Sequence, residues 1–383
     1  MKICAIICEY NPFHNGHLYQ IQQAKTQTNA DAVLCLMSGN FVQRGEIALL
    51  DKYERAKHAV LGGADAVMEL PAVFATSNAE LFAKGAISIL SKLPVDVLCF
   101  GAENADKTAF TLGARYLSDE PEDAVQKLKD AVKQGDSYAK ARAKAFAGYV
   151  PYDLLCSPNN ILGLEYTKAI LQSNAQMDIC PIHRIGGGYR DETVQGEFSS
   201  ATAIRTAIAN GKRETLRQCV PDFVYSALPT QSQNTLTQLE KLAVLQKGTQ
   251  ALATICDCTE GLENAFLRAA NENGDFVKEL TSARYTSSRI RRIALQNLLG
   301  ISESCVRNAL QTNLYLSPLA CKKERKDLFA LLGKTALPLL SNANQTEKLN
   351  AKAKECLRID EYAERIFAIA TDTPLKERKN IFI

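Results

Sequence analysis

Only four histidines occur in the chain, and two of them stand three residues apart in Asn11-Pro12-Phe13-His14-Asn15-Gly16-His17. This segment directly follows an apolar run, residues 3–8, and opens a helical pattern over residues 16–27 with Leu18, Ile21 and Ala24 on one face. A helix N-terminus offers unpaired N–H groups and the positive end of a dipole, so it attracts phosphate. Gly16 lets the backbone approach closely. Two imidazoles aimed at the same point stabilise charge that grows on a pentacoordinate phosphorus or on departing pyrophosphate. A second segment, Ser199-Ser200-Ala201-Thr202-Ala203-Ile204-Arg205, starts a helix after the glycine-rich turn at residues 186–188. Its hydroxyls and N–H groups suit phosphate oxygens, and Arg205 supplies a delocalised positive charge. Taken alone, it reads equally well as an N-cap with solvated Ser and Arg. The chemistry these residues suit is transfer of a nucleotidyl group.

The elements that must position them alternate regularly. Apolar strands are predicted at residues 2–8, 32–37, 66–70, 95–100 and 179–185, separated by helices at 16–27, 51–61, 78–93 and from 157 onward. Strands apolar on both faces and separated by helices predict a doubly wound parallel sheet, with its ligand site beyond the carboxyl ends of the strands. Residues 108–148 read as a helical insertion. After Pro221 the alternation stops. Residues 236–298 are helical by pattern, followed by a strand at 313–319 and helices at 322–332 and 345–371. The expected division is an α/β, Rossmann-like domain over residues 1–228, with its helical insertion at about 104–150, and a mainly α-helical domain over 229–383. Pro221, Pro229 and the polar run 230–237 mark the boundary.

With 46% hydrophobic and 23% charged residues, the chain of 383 residues is an ordinary globular sequence, which excludes disorder, collagen and coiled coil. No stretch approaches the ~18 apolar residues that span a bilayer. The first apolar run is too short for a signal-peptide core and ends at Glu9, so a cytoplasmic protein with no membrane association is expected. Twelve cysteines form no CxxC pair and read as small buried hydrophobes. The net charge of +3 is uneven, because residues 281–330 hold nine Lys or Arg and three acids. That block fits either a docking face for a polyanion or a solvated helix surface.

The two phosphate segments together resemble the HxGH-type nucleotidyltransferases, relatives of the class I aminoacyl-tRNA synthetases. Their second signature is an ISSTxIR-like motif; here Ser199 replaces its isoleucine and Ala201 its second serine, while Thr202, Ile204 and Arg205 match. The ordered series Glu9–His17, Met37–Glu46, Gly63–Pro71, Phe100–Glu103, Ser157–Asn160 and Arg284–Thr286 is similar to the bacterial tRNA(Met) cytidine acetate ligase family through most of the chain. That resemblance implies activation of acetate by ATP to acetyl-adenylate, then acetyl transfer to N4 of the wobble cytidine of elongator tRNA(Met). It implies His14, His17 and Arg205 as catalytic residues. It also implies ATP contacts at Ile7, Cys8, Glu9, Tyr10, Asn11, Pro12, Phe13, His14, Asn15, Gly16, His17, Leu18 and Gln20. Further ATP contacts are expected at Gly101, Asn159, Asn160, Arg184, Ile185, Ser200 and Thr202, with Mg²⁺ accompanying the nucleotide. Acetate needs no general base, since it is already ionised.

Arg284, Arg289, Arg291 and Arg292 are the expected tRNA contacts, and Arg289 and Arg292 share a helix face. No protein partner is expected. Gln43 and Arg44 lie on the loop side where the site should be, whereas Asp65, Glu69, His58 and His183 read as structural. Two rivals are a small-molecule adenylyltransferase and a non-catalytic RNA-binding factor that keeps a nucleotide pocket. The basic helical half argues against the first, and the intact histidine pair against the second.

Overall fold

The computed structural model describes all residues except 187–192, 195, 232–233, 273, 342–343 and 379–380. Gly187 and Gly188 of the predicted turn therefore lie outside the described residues. The first five strands, Ile3–Cys8, Ala32–Ser38, Ala66–Leu70, Val97–Ala102 and Asp178–His183, fall where the sequence predicts them and pair in parallel. Their spatial order is fifth, fourth, first, second, third. Alternate residues explain the burial on both faces. Ile3, Ala5 and Ile7 join one apolar cluster with Phe82, Phe100 and Leu164. Cys4 and Ile6 join another with Ile21, Tyr53 and Ile204. The twelve cysteines are all free thiols.

The sheet does not stop at five strands. The strand predicted at 313–319 forms at Ser317–Cys321 and pairs antiparallel with Ala66–Leu70, and Ile381–Phe382 then adds beyond it. The sheet is thus mixed, and the second half of the chain completes the first half's sheet. The physical reason is that Ala66–Leu70 is buried throughout, so its edge needs a partner. Asp65 fixes the junction. It accepts Val33 N–H at 2.8 Å and lies 3.0 Å from Lys322 Nζ and 3.3 Å from an Arg325 nitrogen.

The insertion consists of helices Lys107–Ser118, Glu122–Lys133, Tyr138–Phe146 and Tyr152–Cys156. Helices Leu236–Leu252, Leu262–Ala270, Phe276–Leu280 and Ser287–Leu299 gather around their own apolar cluster, which includes Val244, Phe266, Phe276 and Ile293. The long helix Ala351–Thr371 is pinned to the sheet by polar contacts. Asp360 accepts Ala72 N–H at 2.7 Å and the Tyr315 hydroxyl at 2.6 Å, and Lys52 Nζ sits 2.9 Å from both Glu69 and Glu364. Among the described residues, no helix is long and apolar enough to cross a membrane.

Candidate active site

The first strand delivers the chain to the histidine segment, where Tyr10 takes a left-handed conformation (φ 48°). The first helix runs Asn15–Thr28, and His14 is its N-cap. His14 Nδ1 accepts the Gly16 N–H at 3.1 Å, while His17 Nδ1 accepts the His14 N–H at 3.3 Å. This is a capping box in which two imidazoles replace the usual hydroxyl and carboxylate. The rings stack with centroids 3.7 Å apart. Because each Nδ1 accepts a backbone proton, each neutral ring carries its own proton on Nε2. Burial, reinforced by the Arg184 and Arg205 charges, pushes the His14 pKa down to about 3. Burial, His14 and Arg184 push that of His17 well below the ordinary histidine value. At neutral pH the pair is therefore two uncharged N–H donors.

These donors border a cavity of about 180 Å³ beyond the carboxyl ends of the first and fourth strands. Ile7, Cys8, Glu9, Tyr10, Asn11, Gln20, Gly101, Asn159, Arg184, Ser200, Thr202 and Arg205, all named from the sequence, line it together with Gln43 and Arg44. A smaller cleft shares His14, His17, Gln20, Gly101, Arg184 and Ser200 with it and adds Gly16 and Ile185. Arg205 reaches across from the helix Ala201–Ala209 to donate to the Asn11 carbonyl at 2.8 Å, which joins the two phosphate segments. Ser200 is that helix's N-cap, accepting Ala203 N–H at 3.0 Å. The Asn11 amide nitrogen Nδ2 is buried without a hydrogen-bond partner, while its Oδ1 accepts Leu49 N–H at 2.8 Å.

Five of the expected ATP contacts line neither opening. Pro12 lies within the loop between strand and helix, Phe13 packs edge-on against Tyr10, and Leu18 packs against the apolar cluster. Asn15 Nδ2 donates to the Glu197 and Gln218 carbonyls at 3.2 and 2.8 Å, which ties the helix start to the segments on either side of the second motif. Asn160 is buried and accepts Glu103 N–H at 2.9 Å, holding the loop after the fourth strand. These side chains shape the site from behind.

Sequence reasoning missed several wall residues. Val42, Phe82, Phe100, Leu162 and Tyr166 give the cavity an apolar end, and nothing in their spacing announces it. Glu46 stood inside a quoted motif without a role, yet it bridges Arg205 (3.4 Å) and Arg291 (2.9 Å). Arg55 is fully buried and donates to the carbonyls of Glu9, Ser38, Gly39 and Leu50, clasping the ends of the first two strands. Burial pushes the carboxyl of Glu9 up, opposed by the Gln43 N–H that it accepts at 3.0 Å.

The four arginines of the second half are already engaged. Arg284 pairs with Glu260, and Arg289 donates to the Asp257 carbonyl at 2.9 Å and to Thr259 at 2.9 Å. Arg292 is buried with two nitrogens on Asp257 Oδ2, at 3.1 and 3.0 Å. Arg289 and Arg292 do share a face, while Arg291 turns the other way to Glu46. The hairpin that carries Gln43, Arg44 and Glu46 rests on this same helix. Gly45 (φ +71°) presses so closely that a β-carbon there would lie 2.5 Å from the Arg292 nitrogen. Arg284, Arg289 and Arg292 border a groove of about 620 Å³ that also has Gln43 and Arg44 in its wall. His58 is fully buried 3.2 Å from Glu54 and does not enter the site, whereas His183, exposed at the end of the fifth strand, borders the smaller cleft beside Arg184. Among the described residues, no group of three or more His, Cys, Asp or Glu side chains is arranged to hold a metal ion.

A Rossmann-like sheet with stacked histidines at the first helix start and an arginine brought over from the second motif defines a HIGH-type nucleotidyltransferase. The HIGH Nucleotidyl Transferase family matches residues 1–380. More narrowly, the chain belongs to the tRNA(Met) cytidine acetate ligase family. It is 38% identical over 327 residues to the tRNA(Met) cytidine acetate ligase of Halothermothrix orenii, covering 79% of this chain and 78% of that one. To the protein of the same name from Thermoanaerobacter sp. X514 it is 36% identical over 385 residues, covering 97% and 96%. The crystal structure of Thermotoga maritima TmcAL bound with alpha-thio ATP superposes with a TM-score of 0.89 over 100% of both chains, at 28% identity.

Proposed function

We propose that this protein is an ATP-dependent acetate ligase that acetylates N4 of the wobble cytidine of elongator tRNA(Met). The observation that carries the reading is the pair of neutral, stacked imidazoles whose Nε2–H groups serve the cavity that also receives Arg184 and Arg205. An acetate oxygen attacks the α-phosphorus and pyrophosphate leaves. His14 and His17 donate hydrogen bonds to phosphate oxygens as charge moves onto them, with Arg205 and Arg184 supplying fixed positive charge. Holding acetate and ATP in line supplies much of the rate. The cytidine amine then attacks the acetyl carbon, and AMP departs. Mg²⁺ enters as the counterion of the ATP phosphates.

In this reading residues 1–228 form the activation centre and later residues receive the tRNA. The groove that opens beside Gln43 and Arg44 is the approach for the RNA. Arg284 and Arg289 meet phosphates there, Arg291 holds Glu46, and Arg292 supports the groove from behind. Incubation with ATP, labelled acetate and total tRNA tests the whole proposal. Label is expected in tRNA, dependent on both His14 and His17. Label in a small dinucleotide, or no transfer at all, refutes it.

A further inference from the structure

Beyond the Arg205–Glu46–Arg291 chain lies a second cavity of about 450 Å³, within the size range of ligand pockets. Glu46 and Arg205 belong to both cavities, so a single ion-paired partition separates this one from the reaction site. Asn234, Thr237 and Glu240 add polar groups to its wall. Glu240 is only 3% exposed, and its Oε1 is enclosed without any hydrogen-bond partner. Other buried carboxylates described above have found partners: Glu69 has Lys52, Asp65 has Lys322, and Asp360 has Tyr315. A buried polar group left unpaired destabilises a fold, and it persists where a ligand completes it. Burial drives the Glu240 carboxyl well up, with Arg291 opposing, which favours the protonated acid. In that form it sets an O–H donor beside a C=O acceptor, which is the pattern that pairs with the edge of a nucleobase.

We infer that this cavity receives the base of a nucleotide adjacent to the target cytidine, with Glu240 hydrogen-bonding its Watson–Crick edge. The inference rests on the reading that the acetyl acceptor is RNA. Single-stranded RNA is recognised by splaying bases into separate pockets and bonding their edges. Two pockets on either side of one partition suit two successive bases. The phosphate between them passes the half-exposed Arg291, whose second role would then be to meet it.

The test uses the full chain and an RNA hairpin carrying the target cytidine in its loop. Acetyl transfer is measured with the intact loop and with an abasic residue on either side of the cytidine. Glu240→Leu should lower kcat/KM for transfer by about tenfold or more, the scale of a lost base-edge pairing. Glu240→Gln, which keeps a donor beside an acceptor, should retain most of the activity. An abasic residue at one of the two positions should slow the wild-type protein by a similar factor and slow Glu240→Leu no further. Acetate-dependent ATP–pyrophosphate exchange without RNA should match wild type, and the melting temperature should not fall.

Multiplying losses at both abasic positions, or full transfer activity in Glu240→Leu, overturn the inference. Slowed RNA-free exchange also overturns it, because the cavity would then serve adenylation. If the wild-type protein transfers no acetyl to any RNA, it is the proposed function that has failed.

Discussion

His14 couples the site to the stability of the whole protein. Its folded pKa of about 3 lies below the ordinary value of 6.5 because burial, Arg184 and Arg205 all oppose a charge on the ring. A group depressed in this way leaves stability intact above the unfolded pKa. Below pH 6.5 the unfolded chain takes up a proton that the folded chain refuses until about pH 3, and stability falls at about 1.4 kcal/mol per pH unit. At about pH 5 this one residue has therefore cost roughly 2 kcal/mol. His14→Asn removes the titration while keeping a good N-cap for the first helix. Urea unfolding near pH 7.5 and near pH 5 is the assay. The wild-type protein should lose about 2 kcal/mol more than His14→Asn across that interval. Equal losses in the two proteins would refute the argument that the ring is held neutral.

Three other expectations follow from the same geometry. His14→Ala or His17→Ala should abolish acetate-dependent ATP–pyrophosphate exchange, and exchange at wild-type rate in both would end the adenylation mechanism. Arg289→Glu should weaken tRNA binding and lower its salt slope by about one, whereas Arg292→Glu should cost about 3–5 kcal/mol of stability because it leaves Asp257 facing a like charge; urea unfolding and a salt titration separate the two. Gly45→Ala should destabilise by at least the ~1–2 kcal/mol of a left-handed residue and slow adenylation, since Gln43, Arg44 and Glu46 shift with the hairpin; unchanged melting and kinetics would contradict that packing.

The parts legible in the sequence were those that obey a local rule. Ile3–Cys8 and Ala32–Ser38 announce themselves because a strand covered on both faces is apolar throughout, and His14 follows the first strand at the one place where a helix start can hold phosphate. Arg205 was legible through its motif. What escaped depends on partners far along the chain. Ser317–Cys321 reads as a strand, but nothing in it names Ala66–Leu70 as its neighbour. Lys52 and Arg55 occupy the buried side of their helix because Glu69, Glu364 and four carbonyls wait there, which inverts the usual polarity pattern. Glu46 gains its meaning only from Arg205 and Arg291, one from each half of the molecule.

The pairing of Ala66 with Cys321 also governs how the protein is made. A nascent chain on the ribosome exposes the apolar third strand with one edge open until the segment around Cys321 has left the exit tunnel. The sheet's last long strand thus closes over a very large loop, which makes its docking slow by comparison with the local helices. During that wait the open edge is a template for another chain. Any product cut short after the activation half keeps that edge permanently, so truncated chains of this protein should aggregate or be degraded, and only full-length molecules persist.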